Sequence, residues 1–176
     1  MQTSLPDKFD PWKLADAAGQ LQGEFAVSRL QRLAALLHGA PTGNVAVWLG
    51  AGRDSQGRAW LAGRFETNLT LLCQRCLTPL SLALVAECRL APQHGEDAAE
   101  LPEGCEALSV MEDGWVALVE LVEDELLLAL PMVPLHGDEQ VCRDAGYIPP
   151  APAADERAHP FAGLAQLLKS SRKDEE

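Results

Sequence analysis

Residues 61–90 read "LAGRFETNLTLLCQRCLTPLSLALVAECRL". From Leu61 to Leu71 the apolar side chains Leu61, Phe65, Leu69 and Leu71 hold odd positions, while Arg64, Glu66, Asn68 and Thr70 hold even ones. A period of two puts alternate residues on opposite faces of a strand, so this is a half-buried β-strand. Beyond "CQRCLTP" the same alternation resumes: Leu80, Leu82, Leu84, Ala86, Cys88 and Leu90 against Ser81, Glu87 and Arg89. Two such runs joined by a short polar stretch predict an antiparallel hairpin with "CQRCLTP" at its tip.

Outward from this hairpin the chain reads as α+β. "DPWKLADAAG" carries a cap at Asp10, a proline at the first helical position and Gly19 as a stop. A second helix is expected from Ser28, with Gln31 completing a capping box, Leu30, Leu33, Ala34 and Leu37 on one face, and Gly39 at its end. "VAVWL" is a short strand, "DSQG" a hairpin turn, and "EALSV" a further strand before a turn at "EDG". Residues 116–130 predict a long helix with Leu118, Leu121, Val122, Leu126 and Ala129 on an apolar arc. Glu120, Glu123 and Asp124 face away from that arc, and "ALPMVP" stops the helix because proline lacks the needed donor. The expected architecture is an antiparallel sheet of about four to six strands packed with helix 116–130 and two N-terminal helices. It forms one domain over 1–142. Residues 143–176 read as a flexible tail: a proline-rich acidic linker, then a short amphipathic segment with Phe161, Leu164, Leu167 and Leu168 at helical spacing.

Composition narrows the function. The chain has 176 residues, 47% of them hydrophobic, enough for a core without disulfides. No apolar run reaches the roughly 18 residues of a membrane span. The N-terminus lacks a basic region followed by an apolar stretch, so a cytoplasmic location is expected. With 14 Lys and Arg against 26 Asp and Glu, the net charge is −12. Nucleic-acid binding draws on cationic neutralisation of phosphate, so this charge favours a basic protein partner over RNA. Direct contact with RNA would need a local basic patch, for which Arg53, Arg58, Arg64 and Arg75 are the candidates.

Cys73 and Cys76 are spaced to present two thiolates to one zinc ion from a tight knuckle. His136 and Cys142 would complete a Cys3His set. Two free thiols in a turn remain an alternative reading of the pair. A redox pair fits less well, because that motif expects a helix N-terminus in a βαβ setting. Glu125 falls inside the apolar arc of its helix, where a carboxylate needs a partner, water or a proton. Arg75 is the candidate partner, with an edge position in water as the alternative. Glu120, Glu123 and Asp124 read as a solvated face able to receive a basic partner. No nucleophile with a base and orienter occurs, nor any Gly-rich phosphate loop, so the chain does not read as an enzyme or as a small-molecule binder.

"CQRCLTPL", then "LVEDELLLALPMVPLH…C", then "PFAGLAQL" resemble the YceD family of bacterial proteins, named for accumulation of the large ribosomal RNA. The resemblance runs over nearly the whole chain and is most specific at "VEDELLLALPMVP". It implies a non-enzymatic role in maturation or accumulation of 23S ribosomal RNA, hence in large-subunit assembly. Some members look like zinc proteins with cysteines after the "LP" segment, where this chain has His136 and then Cys142. The family's gene often neighbours that of a small basic zinc-ribbon protein of the large subunit. The resemblance therefore implies a basic ribosomal protein or an rRNA-processing factor as partner, with precursor 23S RNA as the alternative.

Overall fold

A computed structural model describes residues 5–94, 100–110 and 112–149. Within them the chain forms β1 (Lys8–Phe9), α1 (Pro11–Asp16), β2 (Gln20–Ala26), a 3-10 turn (Val27–Arg29) and α2 (Gln31–Ala34). Then come β3 (Asn44–Arg53), β4 (Ala59–Leu72), β5 (Pro79–His94), β6 (Glu106–Val110), β7 (Val116–Ala117), α3 (Leu118–Ala129) and α4 (Glu139–Asp144). The fold is α+β. Its main sheet has five strands in the order β2-β3-β4-β5-β6, antiparallel except for the parallel pair β5–β6. A second, two-stranded pairing of β1 with β7 ties the N-terminus to the start of α3. A compact unit runs to Gly146, with position 142 inside α4. Phe161, Leu164, Leu167 and Leu168 lie outside the described residues.

The hairpin forms as its alternation dictates. Leu61 faces Leu90, Leu69 faces Leu82 and Leu72 faces Pro79, leaving residues 73–78 as the tip. Leu61, Phe65, Leu69 and Leu71 are buried, and so are Leu84, Ala86 and Leu90 of the partner strand. Phe65 is fully buried and its ring crosses Gly63, where a Cβ would stand 2.7 Å from the ring edge. These residues share one core with Val45, Val47 and Leu49 of β3 and with Leu118, Leu121, Val122 and Leu126 of α3. Each fully buried Leu or Phe contributes about 2 kcal/mol of transfer free energy. The opposite sheet face carries Trp48, Arg64, Glu66, Asn68, Val85 and Glu87 and stays exposed, which an antiparallel sheet tolerates.

The helices depart from their expected bounds for local reasons. In α1, Asp10 Oδ1 accepts from the Trp12 and Lys13 amides at 3.0 Å each. The amide of Lys13 is the main cause that holds the Asp10 carboxyl below its usual range. The residue that turns left-handed after α1 is Ala18 (φ 45°) rather than Gly19. The Ala18 and Gly19 amides then reach the carbonyls of Ala15 and Leu14. The second helix shrinks to the single turn α2, with no cap from Ser28 and no capping box. β2, with only Phe25 buried along "QLQGEFA", is an edge strand whose alternation is too sparse to read in advance. α3 begins at Leu118, two residues later than expected, because Val116 and Ala117 pair with β1. It ends at Ala129 because Pro131 forces Leu130 into an extended conformation (ψ 137°).

Candidate metal centre

The strand pairing that ends at Leu72 and Pro79 confines residues 73–78 to a tight knuckle. The Leu77 amide donates to the Cys73 carbonyl at 2.8 Å and the Cys73 amide to the Thr78 carbonyl at 3.0 Å. The turn after α3 is drawn against it by the Gln74 amide, which donates to Pro134 O at 2.8 Å. Asp138 then caps α4, and α4 returns Cys142 to the knuckle. The structure thus brings Cys73, Cys76, His136 and Cys142 together, with all four ligand atoms within 4.8 Å of one another. Cys73 and Cys142 are fully buried.

The distances test the cluster against a metal. A tetrahedral zinc ion with Zn–S of about 2.3 Å and Zn–N of about 2.0 Å has edges of about 3.8 Å between sulfurs and about 3.5 Å between sulfur and nitrogen. Here Cys73 Sγ lies 3.8 Å from Cys142 Sγ. His136 Nδ1 lies 3.5 Å from Cys76 Sγ and 3.6 Å from Cys142 Sγ. These three edges match, no other exceeds 4.8 Å, and three cysteines with one histidine are the donor types of a structural four-ligand site. His136 Nε2 is 3.2 Å from the Pro79 carbonyl, which can only accept, so Nε2 carries the proton and Nδ1 faces the sulfurs.

The surroundings already favour thiolate. Burial opposes ionisation of Cys73, but the backbone amides of Cys76, His136 and Arg75 outweigh it and bring the thiol down to about 5. The Thr78 hydroxyl, 3.1 Å from Cys76 Sγ, is the main cause that lowers the Cys76 thiol. Burial opposes the charged form of His136 too, yet its contacts with Cys73 and Cys76 push it up. Burial and the neighbouring sulfurs push Cys142 up to about 11. Three sulfurs in one buried space repel a third negative charge, and a bound dication would remove that repulsion.

One element of the knuckle is strained. Leu77 sits at φ 59° with its side chain exposed. A left-handed conformation costs a residue with a Cβ about 1–2 kcal/mol. Leu77→Gly is therefore expected to stabilise the fold by about 1 kcal/mol without altering the ligand geometry, which thermal denaturation checks.

The other site residues fall differently from expectation. Arg75 Nη1 lies 4.0 Å from Glu139 Oε1 on α4, while Glu125 lines a surface hollow with Cys88 and Arg89 of β5 and Glu106 of β6. Burial, then Glu106 and Asp124, raise the Glu125 carboxyl above its ordinary 4.5. The folded state holds that proton more tightly than the unfolded chain. Ionisation weakens the fold as pH rises through the raised value, and the penalty is absent below 4.5, where both states are protonated. Glu125→Gln should therefore raise Tm at pH 8, with the gain shrinking as pH approaches 4.5; a pH-independent gain would contradict this.

Glu123 is the largest correction. It is buried at 6% exposure and does not belong to a solvated face. Its Oε1 accepts from the Arg32 and Leu33 amides at 2.7 and 3.1 Å, and Oε2 pairs with Arg32 Nε at 2.9 Å. Glu123 is thus the N-terminal cap that α2 lacks in its own sequence. Asp124 pairs with Arg32 Nη2 at 2.7 Å and stays half-exposed, and Glu120 is exposed. Thr78, Pro79 and Pro134 also support the cluster. Their only sequence signal was proximity to a cysteine or histidine.

These features define a class: a small α+β domain whose hairpin tip is clasped to a C-terminal turn and helix by a Cys3His cluster. A family model described as "Large ribosomal RNA subunit accumulation protein YceD" matches residues 61–168. A protein of Haemophilus influenzae with the same description is 34% identical over 172 residues, covering 94% of this chain and 97% of its own length. The chain belongs to the YceD family. No solved structure matches it.

Proposed function

We propose that this chain is a non-catalytic cytoplasmic factor that supports maturation and accumulation of 23S ribosomal RNA, and so large-subunit assembly. It works through contacts with a basic ribosomal protein or a processing factor. One structural zinc ion, held by Cys73, Cys76, His136 and Cys142, would fasten the hairpin tip to the turn after α3 and to α4. The family supports the process. The observation that carries the protein-contact reading is the state of the arginines set aside for RNA. Arg53 pairs with Asp16 at 2.6 Å, Arg58 with Asp54 at 2.7 Å, Arg64 with Glu66 and Glu87, and Arg75 with Glu139. On a chain of net charge −12 these groups are already neutralised, leaving little to attract phosphate.

Cells lacking the protein should show a reduced ratio of 23S to 16S RNA that the chain restores. Pull-downs with and without residues 143–176 should enrich a ribosomal or RNA-processing protein. An unchanged RNA ratio, or no such enrichment with either form, would sink the reading. Titration against 23S fragments tests the RNA alternative. Tight binding that weakens steeply with salt would replace protein contact with direct recognition.

A further inference from the structure

The segments that meet at the Cys3His cluster expose large apolar side chains. Leu77 is on the knuckle, Leu128 in the last turn of α3, Met132, Val133 and Leu135 in the turn that follows, and Val141 on α4. Met132 is fully exposed and Leu128 is 77% exposed. Scattered apolar residues on a surface are ordinary, but a group collected around one fixed point marks an interaction site. The point is fixed by the Gln74–Pro134 backbone bond and by the contacts among the four ligands. A surface held in place loses little conformational entropy on binding.

Charge decides the occupant. Glu120, Asp124 and Leu128 follow one another at four-residue spacing along α3, so its exposed stripe passes from acidic to apolar. α4 and its cap add Asp138, Glu139 and Asp144. Asp7 and Glu123 line the same hollow as Glu120 and Asp124, so seven carboxylates stand against five cations, Lys8, Arg29, Arg32, Arg75 and Arg143. The collar is acidic on balance, in a chain of net charge −12. A second copy or a nucleic acid would bring like charge. A cationic protein segment would not, and its apolar side chains would cover Leu128 and Met132.

We infer that the apolar collar around the Cys3His cluster is the docking surface for a cationic segment of another protein that carries large apolar side chains. This rests on the protein-contact reading above and names its surface and the chemistry of the partner. The test places a photoreactive benzophenone residue at Met132 in the full-length chain in cells, with Trp48 on the open sheet face as control. Adducts at 132, absent at 48, should contain a protein of net positive charge. That protein, once purified, should bind the Leu128→Ser/Met132→Ser double variant about tenfold or more weakly than wild type. Its affinity should also fall with salt, while zinc content and Tm of the variant match wild type. Adducts with RNA, an acidic protein, a second copy or the same chain would overturn the inference. So would the absence of any adduct, or unchanged affinity in the double variant. Restoration of the 23S level by the wild-type chain is scored separately, so loss of this surface is distinguishable from failure of the assembly role itself.

Discussion

Cys73→Ser is expected to abolish metal binding, from about one zinc per chain to less than about a tenth, and to destabilise the fold by about 3 kcal/mol or more. Cys73 is buried, the backbone amides of Cys76, His136 and Arg75 favour its thiolate, and its sulfur stands 3.8 Å from Cys142 Sγ. A serine oxygen there is a poor zinc ligand, and the remaining three donors lose the closed tetrahedron. The damage should be local. Amide exchange should accelerate in residues 73–79 and 131–145, while the centre of β4 and β5 keeps its protection, because Leu61, Phe65 and Leu69 bury against α3 and β3 without the clasp. Zinc uptake near neutral pH should release protons, since burial and the neighbouring sulfurs push the Cys142 thiol up and contacts with Cys73 and Cys76 push His136 up, and both must give up a proton to bind the ion. Zinc affinity should fall as pH drops and His136 and the thiols regain protons. Elemental analysis and thermal denaturation decide it. A metal-free, fully folded wild type, with Tm unmoved by Cys73→Ser, would end the zinc reading.

Glu123→Ala should cost about 3 kcal/mol. One carboxylate satisfies two backbone amides at the start of α2 and a guanidinium, all from a position on α3 some ninety residues away. Its removal strands buried donors, each costing about 1–3 kcal/mol, and releases α2 from α3. Glu123→Gln keeps an acceptor for the amides and should lose less than Ala. Arg32→Ala should lose the least of the three, since that side chain is more than half exposed. Denaturant unfolding of the three variants gives the ranking. A loss under about 0.5 kcal/mol for Glu123→Ala would show that the cap contributes little.

How much could be read in advance follows from the range of each interaction. The β4–β5 hairpin was legible because its signal is local and repeated: every second residue from Leu61 to Leu71 is apolar and buried, apart from Gly63 and Thr67. α1 was legible through Asp10 and Pro11, whose effects reach three residues. β2 was not, because an edge strand buries too little to need a strict pattern. The short α2 escaped because its cap comes from another helix. The surroundings of Glu125 were not legible, because a helical arc says which residues turn inward but not which element they meet.

By itself the sequence determined the strand alternation, the Asp10 cap of α1, the acidic balance and the Cys73–Cys76 spacing, since each depends on near neighbours or on totals. Only the tertiary structure decided that Glu123 is a cap and that Arg75 turns to α4. It alone oriented His136, with Nδ1 toward the sulfurs and its other nitrogen donating to Pro79. Those outcomes depend on pairs 57 to 91 residues apart, and only the packing of α3 and α4 against the hairpin brings such pairs within hydrogen-bonding reach.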